Sequence, residues 1–187
     1  MYTKVSIPKA GDGAGCAVPK NPTIILIDVD EVTAEPTRSH GNVALSGNYT
    51  LGNGVKAIGI YATPNTIEDA CSYEGDVDAR GVMQGLSFEH PGNEDAVANF
   101  REHSLNRGYI ALVHECDGAS GRYRAYGSKC NPLFVTPEVT NSKEGSKTKF
   151  TLKQETKGTF EPGVYTGTVP DLADDASSSS SSSSESA

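Results

Sequence analysis

The chain has 187 residues and a formal net charge of −8, and 36% of its residues are hydrophobic. That composition excludes a wholly disordered or fibrous chain, and the length suits one domain of ordinary size. The acidic balance argues against a protein that grips nucleic acid through clustered lysine and arginine. No apolar run approaches the roughly 20 residues that a membrane span needs, and the first residues lack the apolar core of a secretory signal. We therefore expect a soluble protein made in a cytoplasm.

Composition divides the chain into three parts. Residues 1–22 contain Gly and Pro without any periodicity and predict an extended N-terminal arm. Residues 23–170 carry the apolar patterns of one domain, with a long loop or hairpin excursion over residues 29–54. Residues 171–187 hold eight consecutive serines, four acidic residues and no lysine or arginine, which predicts a flexible tail. Half of the net charge therefore lies in the tail, and residues 1–170 carry −4.

Short apolar or alternating segments predict strands along the domain. The first strand covers residues 23–28, and alternation around residues 46–48 predicts a hairpin inside the excursion. The further predicted strands cover residues 55–62, 67–73, 80–88, 109–116, 122–126, 133–135, 146–155 and 164–168.

Two of these segments show which side chains face the core. In residues 146–155 the side chains of Thr148, Phe150, Leu152 and Gln154 face one way and the lysines face the other, as in a strand with one wet face. In residues 80–88 three apolar side chains share a face with Gln84, while two glycines on the other face leave room for a close neighbour or a bulge.

One segment predicts a helix over residues 94–107. Asn93 is a good N-cap, Val97 and Phe100 form an apolar patch, and Gly108 is placed to end the helix. Eight to ten strands and one helix make the chain mainly β, and we expect a β-sandwich or barrel with one flanking α-helix.

No constellation of reactive side chains emerges from the sequence. Without a Cys-x-x-Cys pair, the default for Cys16, Cys71, Cys116 and Cys130 is four free and mostly buried thiols, with a disulfide or a metal site as alternatives. His114 would share a strand face with Cys116, but zinc needs a second ligand pair, and partly buried packing is the simpler interpretation. We assign no catalytic, cofactor-binding or metal site and expect no enzyme.

Five lysines make the region after residue 142 locally basic. We interpret them as a solvated face or a subunit contact rather than a nucleic-acid site. They are Lys143, Lys147, Lys149, Lys153 and Lys157.

Six short motifs follow one another in an order that resembles a known family. They are residues 60–64 (IYATP), 74–81 (EGDVDARG), 88–93 (FEHPGN), 114–118 (HECDG), 130–133 (CNPL) and 142–145 (SKEG). Together they cover the region 55–168, which resembles structural proteins of tailed bacteriophages that infect Bacteroidales-type bacteria. The similarity is greatest to their major tail tube proteins.

The resemblance implies a β-sandwich or barrel with one flanking helix, and copies that form rings, usually hexameric, which stack into a hollow tube for DNA ejection. Implied partners are other copies of the chain, other phage tail proteins and DNA in transient, non-specific passage, with no membrane. The implied location is the virion tail, assembled in the host cytoplasm. Alternatives are another head–tail or capsid-decorating virion protein, a tube protein of a secretion system, or an unrelated enzyme or binding domain.

Two expectations about assembly follow from the resemblance. Glu74, Asp76 and Asp78 cluster in a turn between predicted strands, and we place them at the lumen or at the contact between stacked rings. The tail after Pro170 is expected to project from the tube exterior and to be dispensable for assembly.

Overall fold

The structure is a computed structural model that describes residues 4–9, 15–116, 121–143 and 145–174. It contains eleven strands and one α-helix, and every strand pair is antiparallel. The elements are β1 (Lys20–Asp28), β2 (Val32–Ala34), β3 (Thr50–Leu51), β4 (Ile58–Tyr61), β5 (Glu68–Glu74), β6 (Gly81–Pro91), α1 (Asp95–His103), β7 (Gly108–Glu115), β8 (Tyr123–Tyr126), β9 (Leu133–Ser142), β10 (Gly145–Gln154) and β11 (Gly163–Tyr165). The predicted fold class, a mainly β sandwich with one flanking helix, is confirmed. No described helix is long and apolar enough to cross a membrane.

Nine of the strands form two layers that are joined at one corner. Sheet I has the order β4-β1-β7-β8-β11, and sheet II has the order β9-β10-β6-β5. The corner is the short pairing of β7 with β9, in which Gly108 lies opposite Phe134 and Tyr109 opposite Leu133. Strands β2 and β3 form a separate two-stranded sheet.

The main core lies between the two sheets. Ile24 and Val113 of sheet I are buried in one cluster with Phe88 and Phe150 of sheet II. Phe100 of α1 packs against this cluster, with its ring centroid 5.7 Å from that of Phe150. The helix therefore packs through the apolar patch that the sequence predicted.

A second core covers the opposite face of sheet I. Ile25 and Leu112 are buried there beneath Val32, Tyr49 and Tyr165. Residues 29–54 are therefore not an excursion away from the domain, because they cover one of its sheets. The hairpin predicted around residues 46–48 is also absent, since the paired strands of this region are β2 and β3.

The helix is shorter than the predicted 94–107. It begins at Asp95, so Glu94 rather than Asn93 holds the N-cap position, and the Glu94 side chain makes no capping hydrogen bond.

At the other end, the chain leaves the helical conformation before Gly108. The helix ends at His103, and Asn106 then adopts a left-handed backbone with φ of 59°. Gly108 instead opens β7, where a Cβ atom would lie 2.6 Å from the Pro132 side chain.

At both ends the domain extends beyond the limits, residues 23–170, that the composition predicted. Strand β1 begins at Lys20, inside the region predicted as an arm. At the other end, the Ala57 N–H donates to the Asp171 carbonyl oxygen at 2.8 Å, and the Ala173 N–H donates to the Ala57 carbonyl oxygen at 2.8 Å. Residues 171–174 are therefore attached to the edge of sheet I. Residues 175–187, including the eight serines, lie outside the described residues.

Candidate functional site

The outer face of sheet II is polar and largely open to solvent. Along β10 the side chains of Thr148, Phe150 and Leu152 are buried, and the alternate positions point away from the core. Strands β9 and β6 pair with β10, and β5 pairs with β6. The outward-facing residues of these three strands lie level with those of β10 and form rows across the sheet. The charged members of the face are Glu68, Glu74, Glu89, Glu138, Lys147, Lys149 and Lys153.

Two of the three lysines on this face, Lys147 and Lys149, have carboxylates beside them, whereas Lys153 lies opposite Gly85 and Phe134. The Lys147 ammonium lies 2.9 Å from a Glu89 carboxylate oxygen. Lys149 lies directly opposite Glu89 on β6 and Glu138 on β9. Side chains directly opposite on adjacent strands interact, so the positive charges of Lys147 and Lys149 are compensated within the face. The three β10 lysines on this face are exposed, as predicted for a solvated face or a subunit contact.

The two edges of sheet II lack strand partners over most of their length in the described part of the chain. Strand β5 pairs only with β6, and all seven of its residues are exposed. Strand β9 pairs with β7 only through Leu133 and Phe134. The residues that follow on β9 are mostly exposed, including Val139, which keeps 48% of its surface. Long unpaired edges are templates for pairing with another chain.

The edges of sheet I are partly covered instead. Beside β11 the Leu45 N–H donates to the Val164 carbonyl oxygen at 2.8 Å. Beside β4 the parallel bridge of Ala57 with Leu172 occupies the edge. Sheet I is therefore covered on both faces and partly at both edges. In sheet II, by contrast, one face and most of both edges are uncovered by the described residues.

The structure brings the three predicted acidic residues into one exposed turn at the end of sheet II. Glu74 ends β5, and its carboxylate accepts a hydrogen bond from the Ser72 hydroxyl at 2.8 Å. Asp76 and Asp78 follow in the turn to β6, where the Asp76 carbonyl oxygen accepts from the Ala79 N–H at 3.1 Å. All three residues are exposed. Their position at a lumen or between rings stays a prediction.

The inward side of β5 carries a contact that the sequence did not indicate. Asp69 forms an ion pair with Lys20 of β1 and accepts a hydrogen bond from the Tyr126 hydroxyl at 2.7 Å. Burial lowers the pKa of Lys20, while the nearby carboxylates of Glu115 and Glu68 oppose that shift. All of β5 is exposed, so no burial pattern marks Asp69 in the sequence, and only the positions of β1 and β8 identify its partners.

The four cysteines are free, but the prediction that they are mostly buried is wrong because all four are exposed. Cys71 lies on β5, where partial burial raises the pKa of its thiol and the charge of Glu161 adds to the effect. His114 packs against Tyr123 with ring centroids 5.0 Å apart, and Cys116 beyond it is exposed. Among the described residues no three His, Cys, Asp or Glu side chains are close enough to hold a metal ion.

Comparison of the chain with protein-family models, with curated proteins and with solved structures finds no match. We therefore infer the function from the geometry of sheet II and from the resemblance that the six motifs carry.

Proposed function

We propose that the chain is a tail tube subunit of a tailed bacteriophage, whose copies form rings that stack into a hollow conduit for DNA ejection. The observation that carries this proposal is the difference between the two sheets. Sheet I is buried on both faces, whereas in the described part of the chain sheet II presents an open polar face between two edges that are unpaired over most of their length. In the proposed ring this face lines the lumen.

The charges of the outer face suit a surface past which DNA slides. Its three lysines stand among four glutamates, so the face is close to neutral and slightly acidic. Phosphates bind where lysine and arginine are free to replace counterions. A lysine that is already paired, such as Lys147 with Glu89, offers little to a passing phosphate. DNA would therefore pass without being held.

In this proposal the protein is structural and not an enzyme, and it uses no cofactor. Its partners are other copies of itself in rings, hexameric as in the family that it resembles, and the other tail proteins at the two ends of the tube. It acts in the virion after assembly in the host cytoplasm. Glu74, Asp76 and Asp78 lie at one end of the proposed lumen face, where they would meet the lumen or the next ring.

Two other functions remain as alternatives. A head–tail or capsid-decorating protein would use the same sandwich as a monomer or as a single ring. A secretion-system tube protein would also form stacked rings, and the neighbouring genes separate it from a phage protein.

Negative-stain electron microscopy of the purified full-length protein tests the proposal. We expect tubes or stacked rings with a stain-filled central hole. A compact monomer at all protein concentrations would contradict a tube subunit and favour a decorating role or an unrelated domain.

A further inference from the structure

We propose that Lys20 and Asp69 become joined by an isopeptide bond, an amide between the Lys20 side-chain amine and the Asp69 side-chain carboxyl group, which fastens sheet I to sheet II. The inference concerns the single chain and does not rest on the proposed tube. It is drawn from four side chains that meet at the inner side of β5, where the two sheets approach each other.

The two reacting groups are in contact across the sandwich. Lys20 begins β1 in sheet I, Asp69 lies on β5 in sheet II, and the two side chains form an ion pair. The Lys20 ammonium also donates to the Ile67 carbonyl oxygen at 3.4 Å, which holds it beside the start of β5. Well-oriented groups within one molecule react as though each were present at about 10⁵–10⁸ M, so a contact held by the fold favours amide formation.

The amine must be uncharged to attack, and its surroundings favour that form. The Lys20 side chain keeps 18% of its surface exposed. Burial lowers the pKa of its ammonium group, although the carboxylates of Glu115 and Glu68 oppose the shift. Transfer of one proton within the ion pair gives an amine beside a neutral carboxylic acid, and these are the forms that react with each other.

The Asp69 carboxyl group is also held at its other oxygen. That oxygen accepts a hydrogen bond from the Tyr126 hydroxyl at 2.7 Å, and Tyr126 is almost completely buried. Burial raises the pKa of Tyr126, so its hydroxyl stays protonated and remains a donor at neutral pH. A donor fixed in this way stabilises the negative charge that develops on the oxygen when the amine attacks.

Glu115 supplies a carboxylate beside the amine. It lies directly opposite Lys20 in the pairing of β1 with β7, and side chains directly opposite on adjacent strands are within reach of each other. The guanidinium groups of Arg122 and Arg124 lie 3.1 and 2.8 Å from its carboxylate oxygens and hold it in place. Glu115 is therefore placed to accept a proton from the attacking amine and to return it to the leaving oxygen.

The reaction balances without an oxidant, a reductant or a further reactant. The Lys20 nitrogen forms a bond to the Asp69 Cγ, and the bond from Cγ to one carboxyl oxygen breaks. That oxygen leaves as water, with the proton of the carboxylic acid and one proton of the amine. An open cleft of about 640 Å³ borders Lys20, Asp69 and Glu115 and gives the water an exit. A neutral amide thereby replaces a pair of opposite charges.

Mass spectrometry of the purified full-length protein tests the proposal. We expect an intact mass that is one water molecule lower than the sequence requires. Tryptic digestion should give one branched peptide, in which residues 10–38 are joined to residues 57–80, because trypsin does not cleave after an acylated lysine. Fragmentation of this peptide should place the link between Lys20 and Asp69.

Three variants serve as comparisons. Lys20→Arg keeps the positive charge but cannot form the amide, so it should have its full mass and give the two peptides separately. Lys56→Arg is the matched control, because the Lys56 ion pair with Asp174 is exposed, and it should keep the branched peptide. Tyr126→Phe keeps both reacting groups but removes the donor, and it should form the link at least tenfold more slowly.

Two results would overturn the link. A full intact mass with two separate peptides would leave Lys20 and Asp69 as an ion pair. Loss of water without a branched peptide would point to a succinimide at an Asp-Gly sequence instead. Equally fast linking in Tyr126→Phe would overturn the role of the Tyr126 hydroxyl. None of these results bears on the proposed tube, because the mass belongs to the single chain.

Discussion

At the scale of single residues, two buried amides connect the layers of the sandwich. The Gln154 side chain accepts a hydrogen bond from the Gln84 N–H at 2.9 Å and donates to the Asn131 carbonyl oxygen at 3.0 Å. The Gln84 amide donates to the Phe160 carbonyl oxygen and accepts from the Gly127 N–H, each at 2.8 Å. The sequence placed both amides on core faces, but it could not identify partners that lie 23 to 76 residues away.

Replacing Gln154 with leucine should destabilise the fold although the side chains are similar in size. The variant leaves the buried Gln84 N–H without an acceptor, and an unsatisfied buried polar group costs about 1–3 kcal/mol. Urea unfolding of the soluble monomer measures the loss. Lys153→Gln, at the exposed neighbouring position, is the control and should change the free energy of unfolding by less than about 0.5 kcal/mol. Equal free energies of unfolding for the two variants would show that the Gln154 amide does not stabilise the fold.

The close neighbour predicted beside the glycines of β6 is confirmed at one of the two. A Cβ atom at Gly81 would lie 2.7 Å from the Lys157 Cβ and 3.0 Å from the Gly158 carbonyl oxygen. Gly158 pairs with Val82 through hydrogen bonds in both directions. A Cβ atom at Gly85 would lie 3.5 Å from its nearest neighbour, which is an ordinary contact. Of the two positions, only that of Gly81 has no room for a side chain.

At the scale of elements, the sequence predicts best where one face is buried and the other is wet. Strand β10 and its two faces were predicted within one residue of their ends, because polar and apolar side chains alternate without interruption. Strand β9 was predicted as residues 133–135 but extends to Ser142. Its second half is exposed and mostly polar, so its strand structure comes from pairing with β10 rather than from a pattern of its own.

The sequence did not predict the second core, and the reason is different. Residues 29–54 contain many turn residues, and their few apolar side chains look isolated in the sequence. Tyr49 and Val32 are buried in a cluster with residues of β1 and β7, which are apolar on both faces. A strand with two buried faces needs a second cover, and that requirement is the signal by which the role of residues 29–54 could have been inferred.

Two truncations separate the C-terminal segment from the domain. Deleting residues 175–187 should leave the melting temperature unchanged, because the serine-rich sequence offers no apolar side chain larger than alanine to a core. Deleting residues 171–187 also removes the two main-chain hydrogen bonds to Ala57, worth about 1 kcal/mol each. In a chain of this size that loss lowers Tm by about 4–8 °C. Differential scanning calorimetry distinguishes the two, and equal melting temperatures would show that residues 171–174 do not stabilise the sandwich.

At the scale of the whole molecule, the net charge of −8 does not describe the surface that matters for the proposed function. Half of it lies in residues 171–187, and five acidic residues lie on β5 and the turn that follows. The proposed lumen face is nearly balanced, with lysines and glutamates on adjacent strands. The local pattern of charge, rather than its sum, decides whether DNA is held.

Removing one carboxylate from that face should make the tube retain DNA. Glu89→Gln frees Lys147 and leaves Lys149 with one fewer neighbouring carboxylate, which adds one uncompensated positive charge per subunit. We expect tubes of this variant to bind short duplex DNA about tenfold more tightly than the unaltered tubes at low salt, with a steeper dependence on salt concentration. Fluorescence anisotropy with labelled DNA measures both quantities.

The control is Glu102→Gln, which makes the same change of charge at an exposed position on α1. Tubes of this variant should bind DNA as weakly as the unaltered ones. If both variants raise DNA affinity equally, net charge rather than the face of sheet II governs the interaction.

Cryo-electron microscopy of the assembled particles tests the central claim most directly, because it locates sheet II relative to the central hole. We predict stacked rings in which the outer face of sheet II, marked by Lys149 between Glu89 and Glu138, lines the lumen. A tube whose lumen is lined by another surface, with this face on the exterior, would contradict the account.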